Sequence, residues 1–121
     1  MSPRSIRRVA ALSAVLATGV TAAPALAHAP VLGTSPSKGS TATNVKTVSV
    51  RFGEAVVTGL ISVKRANGST VSAKASGLVN GKKRLRATFA KRLAAGKYTV
   101  SWRVRADDGD TEKGTFTFTA R

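Results

Sequence analysis

Lys97-Tyr98-Thr99-Val100-Ser101-Trp102-Arg103-Val104-Arg105 alternates polar and apolar residues over nine positions without a break. Tyr98, Val100, Trp102 and Val104 fall on one side, and Lys97, Thr99, Ser101, Arg103 and Arg105 on the other. That is the period of two required by a strand with one buried face; a helix would scatter the same residues around its circumference. The stretch predicts a long strand with Trp102 at the centre of the core. The pattern recurs on either side of it. Phe116 and Phe118 repeat it after Gly114, Val48, Val50 and Phe52 repeat it within residues 46–52, and Leu85, Ala87 and Phe89 alternate with basic residues. Turn chemistry separates these runs. Asn67-Gly68 supplies the positive φ of a tight turn and predicts a hairpin pairing residues 60–65 with 70–74. Asn80-Gly81 and Leu93-Ala94-Ala95-Gly96 read as further turns. Gly33 to Thr43, rich in Ser, Thr and Gly, reads as an ordered lead-in. Helix patterns are scarce after Val45. Six or seven short strands without helices predict an all-β fold, an immunoglobulin-like antiparallel β-sandwich of Greek-key type with about seven strands. A small barrel is the alternative.

The full chain has 121 residues, enough for one domain but not for two sizeable cores. Residues 1–27 have the organisation of a secretory signal: Arg4, Arg7 and Arg8, an apolar stretch from Val9 to Val20, and a small-residue cleavage site at Ala25-Leu26-Ala27. The apolar stretch is shorter than the ~20 residues of a bilayer-spanning helix. Cleavage after Ala23 or Ala29 would leave proline first, whereas cleavage after Ala27 leaves His28 first. The domain is therefore expected at 28–121, exported to the periplasm, the cell envelope or the exterior, as a monomer. The net charge of +15 comes from 20 Lys and Arg against 5 Asp and Glu, and only three of the bases leave with the signal. Such a charge favours anionic surfaces. Export and the single Trp and single Tyr argue against nucleic acid.

The absence of cysteine removes disulfides, thiolate zinc sites, iron–sulfur clusters and cysteine nucleophiles. What remains for chemistry is concentrated. Asp107, Asp108, Asp110 and Glu112 lie within six residues, between the Trp102 and Phe116 strands. Taken alone, the segment reads as an acidic turn offsetting nearby arginines, and it lacks the ligand spacing of an EF-hand loop. His28 adds a different donor. A histidine at a free N-terminus offers both α-amine and imidazole to one ion, and two such nitrogens suit Cu(II) best among common divalent cations. If residues remained ahead of it, His28 would be an exposed side chain and no more.

His28-Ala29-Pro30-Val31-Leu32, Ser35-Pro36, Gly39, Phe52-Gly53-Glu54-Ala55-Val56, Leu93, Gly96, Tyr98, Val100, Trp102, Val104, Asp108-Gly109 and Gly114-x-Phe116-x-Phe118 together resemble the copper-resistance CopC family. The resemblance runs from His28 nearly to Arg121 and implies a seven-stranded sandwich. It also implies an extracytoplasmic Cu(II) carrier rather than a catalyst, with copper and a copper-transporting membrane protein as partners. By the same resemblance His28 matches the N-terminal ligand, Glu54 a carboxylate at or next to the metal, and Asp108 the aspartate of the family's Asp-Gly-His motif. The histidine of that motif is Asp110 here. Three roles are open to Asp110: a direct oxygen ligand, a neighbour of the ligands, or the mark of a lost site. A methionine-rich Cu(I) site is excluded, because Met1 is the only methionine.

Three other functions are weighed against this one. A cationic module could adhere to anionic envelope polymers through Lys82, Lys83, Arg84, Arg86, Lys91 and Arg92, with a vestigial metal site. A copper monooxygenase would need a second histidine for its three-nitrogen brace, and His28 is the sole histidine. A hydrolase lacks the Gly-x-Ser-x-Gly elbow and would have only His28 as general base. The chain is not expected to be an enzyme.

Overall fold

The computed structural model describes residues 29–121. The signal and His28 lie outside the described residues. Eight strands run in order: β1 (Val31–Ser35), β2 (Thr41–Ala42), β3 (Thr47–Phe52), β4 (Thr58–Arg65), β5 (Ala75–Val79), β6 (Arg84–Thr88), β7 (Gly96–Arg105) and β8 (Thr111–Ala120). They form two four-stranded sheets, β1-β3-β6-β5 and β2-β8-β7-β4. The connections β3→β4, β4→β5 and β6→β7 each pass from one sheet to the other, giving the strand arrangement of an immunoglobulin-like sandwich.

Alternation places the core where the sequence predicts it. Val48, Val50 and Phe52 of β3 and Leu85 and Ala87 of β6 are buried against Val63 of β4, Tyr98, Val100 and Val104 of β7, and Phe116 and Phe118 of β8. Tyr98 stacks on Phe118 with ring centroids 5.5 Å apart. Its hydroxyl donates to the Ala94 carbonyl at 2.6 Å, tying the start of β7 to the preceding loop as the corner tyrosine does at the equivalent strand of immunoglobulin-type domains. Between the sheets β4 approaches closely. A Cβ on Gly59 would lie 2.9 Å from Leu85 Cδ1, so any larger residue there would force Leu85 to shift.

Four features depart from the sequence reading. The strands number eight, because the lead-in supplies the two-residue β2. Thr41 and Ala42 pair in parallel with Thr119 and Ala120, so the sandwich is not wholly antiparallel. This addition covers the otherwise open edge of β8 near its C-terminal end, where an unpaired strand edge would be a liability. Asn67-Gly68 makes a turn, with Gly68 at φ +89°, yet only Lys64 and Thr70 bridge across it. Residues 71–74 then carry the chain to the other sheet, where β5 begins at Ala75. The hairpin forms instead at Asn80-Gly81, between β5 and β6, where Asn80, Gly81 and Lys82 all have positive φ. Finally, Trp102 is inward in phase but only partly buried. It meets Phe52 edge-on at 5.4 Å and lies over Gly114, where a Cβ would come within 2.6 Å of the indole. The fully buried centre is formed by Phe52, Phe118, Leu85 and the valines around them.

Candidate metal centre

Three segments meet at one end of the sandwich. The first is the chain entering β1. Gly53 N–H donates to the Pro30 carbonyl at 2.8 Å, and Val31 pairs with Phe52, so the entry is stitched to the end of β3. Ala29 is fully buried, and its N–H donates to Glu112 Oε2 at 3.1 Å. The second is the loop following β3. Val56 N–H donates to the Lys82 carbonyl and Val57 N–H to the Arg105 carbonyl, and Val56 is buried as an anchor. These contacts fix a short excursion on which Glu54 is exposed. The third is the turn from β7 to β8. Ala106 N–H donates to the Asp110 carbonyl, Gly109 N–H to the Ala106 carbonyl, and Asp110 N–H to Asp108 Oδ1 at 2.9 Å. Gly109 takes φ +93° within it, a conformation that favours glycine.

Glu54 and Asp108 are thereby brought to one open depression of about 620 Å³, which Asp107 and Lys82 also line. Asp110 is exposed at the adjoining turn, linked to Asp108 through its backbone, and is not part of that lining. His28 lies outside the described residues and immediately precedes the buried Ala29. All five acidic residues of the chain are therefore gathered at this end, on a protein carrying 20 basic ones.

Glu112 is the residue that sequence reasoning passed over. It is in phase with Gly114, Phe116 and Phe118 and so turns inward at the start of β8; counting it with the acidic turn hid that phase. The signal was present in the alternation itself.

Carboxylates alone suit hard cations, whereas Cu(II) gains most from nitrogen. Among the described residues, no three His, Cys, Asp or Glu side chains stand close enough to hold a metal ion. A copper centre at this end therefore needs a nitrogen donor from the segment preceding Ala29, and His28 is the only histidine.

Comparison with known proteins bears on this arrangement. The sequence profile of the CopC domain matches residues 31–121. The chain belongs to the CopC family. CopC from Methylosinus trichosporium OB3b is 30% identical, with a TM-score of 0.64 over 77% of this chain and 93% of that one. PcoC from Escherichia coli, a methionine-rich copper resistance protein, superposes with a TM-score of 0.69 over 78% of this chain and all of that one, at 22% identity. The second likeness is one of fold. No curated protein sequence matches the chain. The methionine richness of PcoC has no counterpart here, since the chain has a single methionine.

Proposed function

We propose that the protein is an exported Cu(II) carrier, functioning in copper resistance or homeostasis outside the cytoplasm. In this reading the ion is cargo, held at the acidic end of the sandwich. Family membership supports the copper role, and the tether of Ala29 to Glu112 carries the assignment of the site. Cleavage after Ala27 would free the His28 amine beside the imidazole on the residue adjoining a buried, hydrogen-bonded anchor. The entry strand would thus deliver two nitrogens to the end where Glu54 and Asp108 share a depression. Glu54 and Asp108 supply oxygen at or next to the ion. Asp110 supplies an oxygen in the position where the family's motif has an imidazole, giving a site poorer in nitrogen and a weaker grip on copper. Lys82 in the same lining adds positive charge, which further disfavours a dication until the carboxylates offset it. Membership of a copper-resistance family favours a carrier over a catalyst.

Titration with Cu(II) of the chain beginning at His28, followed by paramagnetic resonance, tests the reading. The expected result is 1:1 binding with nitrogen coupling, lost when one glycine is added ahead of His28. Binding that ignores the added glycine would overturn it.

A further inference from the structure

The outer face of the β8-β7-β4 sheet has a feature unconnected with copper. The register sets Leu60, Arg103 and Lys113 side by side across its three long strands. The next row is Ser62, Ser101 and Thr115. Leu60 is 72% exposed, the most exposed of the large apolar side chains. A shallow groove of about 800 Å³ runs along these two rows. Like charges directly opposite on neighbouring strands disfavour a sheet, so packing gives no reason for Arg103 to face Lys113. Among the described residues, no Asp or Glu is placed on the outer face of these three strands. Glu54, Asp107, Asp108 and Asp110 lie outside the strands, and Glu112 is turned inward to Ala29.

The other sheet provides a contrast. Its outer face also opposes two cations, Arg51 and Arg84, with Arg86 two residues on. The row there runs Gly33, Arg51, Arg84, Val79 and contains no exposed large apolar side chain. The basic stretch singled out in the sequence is divided by a strand: Lys82 and Lys83 precede β6 and Lys91 and Arg92 come after it, with the whole length of β6, about 17 Å at strand rise, between them. A soluble polyanion needs only charge. An exposed leucine within a row of cations matches a lipid surface, where phosphates meet the bases and the apolar side chain reaches the acyl boundary.

We propose that the outer face of the β8-β7-β4 sheet docks on anionic lipid bilayers, with Arg103 and Lys113 on headgroup phosphates and Leu60 in the acyl boundary. Docking in this pose is peripheral and salt-sensitive, and it leaves the opposite sheet in solvent. The proposal is independent of copper.

The test is flotation of residues 28–121, which contain the whole described sandwich, with phosphatidylglycerol and with phosphatidylcholine vesicles. Binding is expected to the first and not the second. R103Q/K113Q should weaken it roughly 25-fold, at about fivefold for each charge. R51Q/R86Q removes the same charge from the opposite sheet and should cost less than about threefold, because those cations face away from the bilayer. L60S should cost about tenfold more, through lost apolar burial, and should do so at high salt as well. Each variant is checked for an unchanged thermal midpoint, as expected for exposed positions. Equal losses in the two double variants would reduce the effect to net charge and overturn the proposal. An unchanged L60S, with inorganic polyphosphate bound as tightly as the vesicles, would overturn it in favour of a soluble polyanion.

Discussion

The two ends of this sandwich are made from different materials. At one end, Tyr98 stacks on Phe118 and is fastened to the Ala94 carbonyl, while Leu93 is buried and its N–H is held by the Val45 carbonyl. At the other, five carboxylates surround the entry of the chain, and the aromatic contribution is the buried Phe52 with a partly exposed Trp102 edge-on against it. One fold has put apolar packing at one end and titratable chemistry at the other. The lesson is that a sandwich of this size need not stabilise both ends equally. Register is already fixed by the strands between them, so one end is left for polar side chains that contribute little to stability.

The sharpest way to break that contrast is Phe118→Ala, which removes a buried ring shared by Tyr98 and Phe116. It should cost about 4 kcal/mol by denaturant titration, as large-to-small changes in cores do. Glu112→Ala tests the exception at the acidic end. It leaves the buried Ala29 N–H without its acceptor and should cost about 2 kcal/mol, an effect not expected of any exposed carboxylate beside it. Asp110→His sharpens the comparison in the other direction. Giving the site an imidazole should tighten Cu(II) about tenfold, near 1.4 kcal/mol, by competition titration, with stability unchanged. Tyr98→Phe keeps the ring and removes one hydroxyl, and should lower stability by about 1 kcal/mol with no effect on copper.

How far the sequence can be read obeys the same division. The long strands are legible because β3, β6, β7 and β8 each bury every second residue. β2 is not: two residues are too few to show a period, and what holds Thr41 and Ala42 is the end of β8, far away in the chain. Asn67-Gly68 and Asn80-Gly81 are identical as turn signals. They differ in the residues beyond the turn: after Gly68 only Val71 packs against the core beside β4, and the exposed residues 72–74 after it cross to the other sheet. Phase alone puts Trp102 at the centre, but depth depends also on its neighbours, and Gly114 beside it offers no side chain to cover the indole. At the candidate site, the grouping of Asp107, Asp108 and Asp110 is visible in one turn. The approach of Glu54 to Asp108 is not, since it depends on two loops converging from opposite sheets; only the family resemblance brings Glu54 forward. His28 lies outside the described residues, and its part in the site is the proposal that the added-glycine experiment decides.

The bond between Ala29 and Glu112 also sets an order in time. Its partners are 83 positions apart, and the acceptor lies on the last strand. It can form only where β8, paired with β7, turns Glu112 inward toward the chain entry. During synthesis, the Ala29 N–H has no such acceptor until the last strand has been made. A chain cut short before β8 would keep Glu54, Asp107, Asp108 and Asp110 yet lose Glu112, and with it the acceptor that holds Ala29.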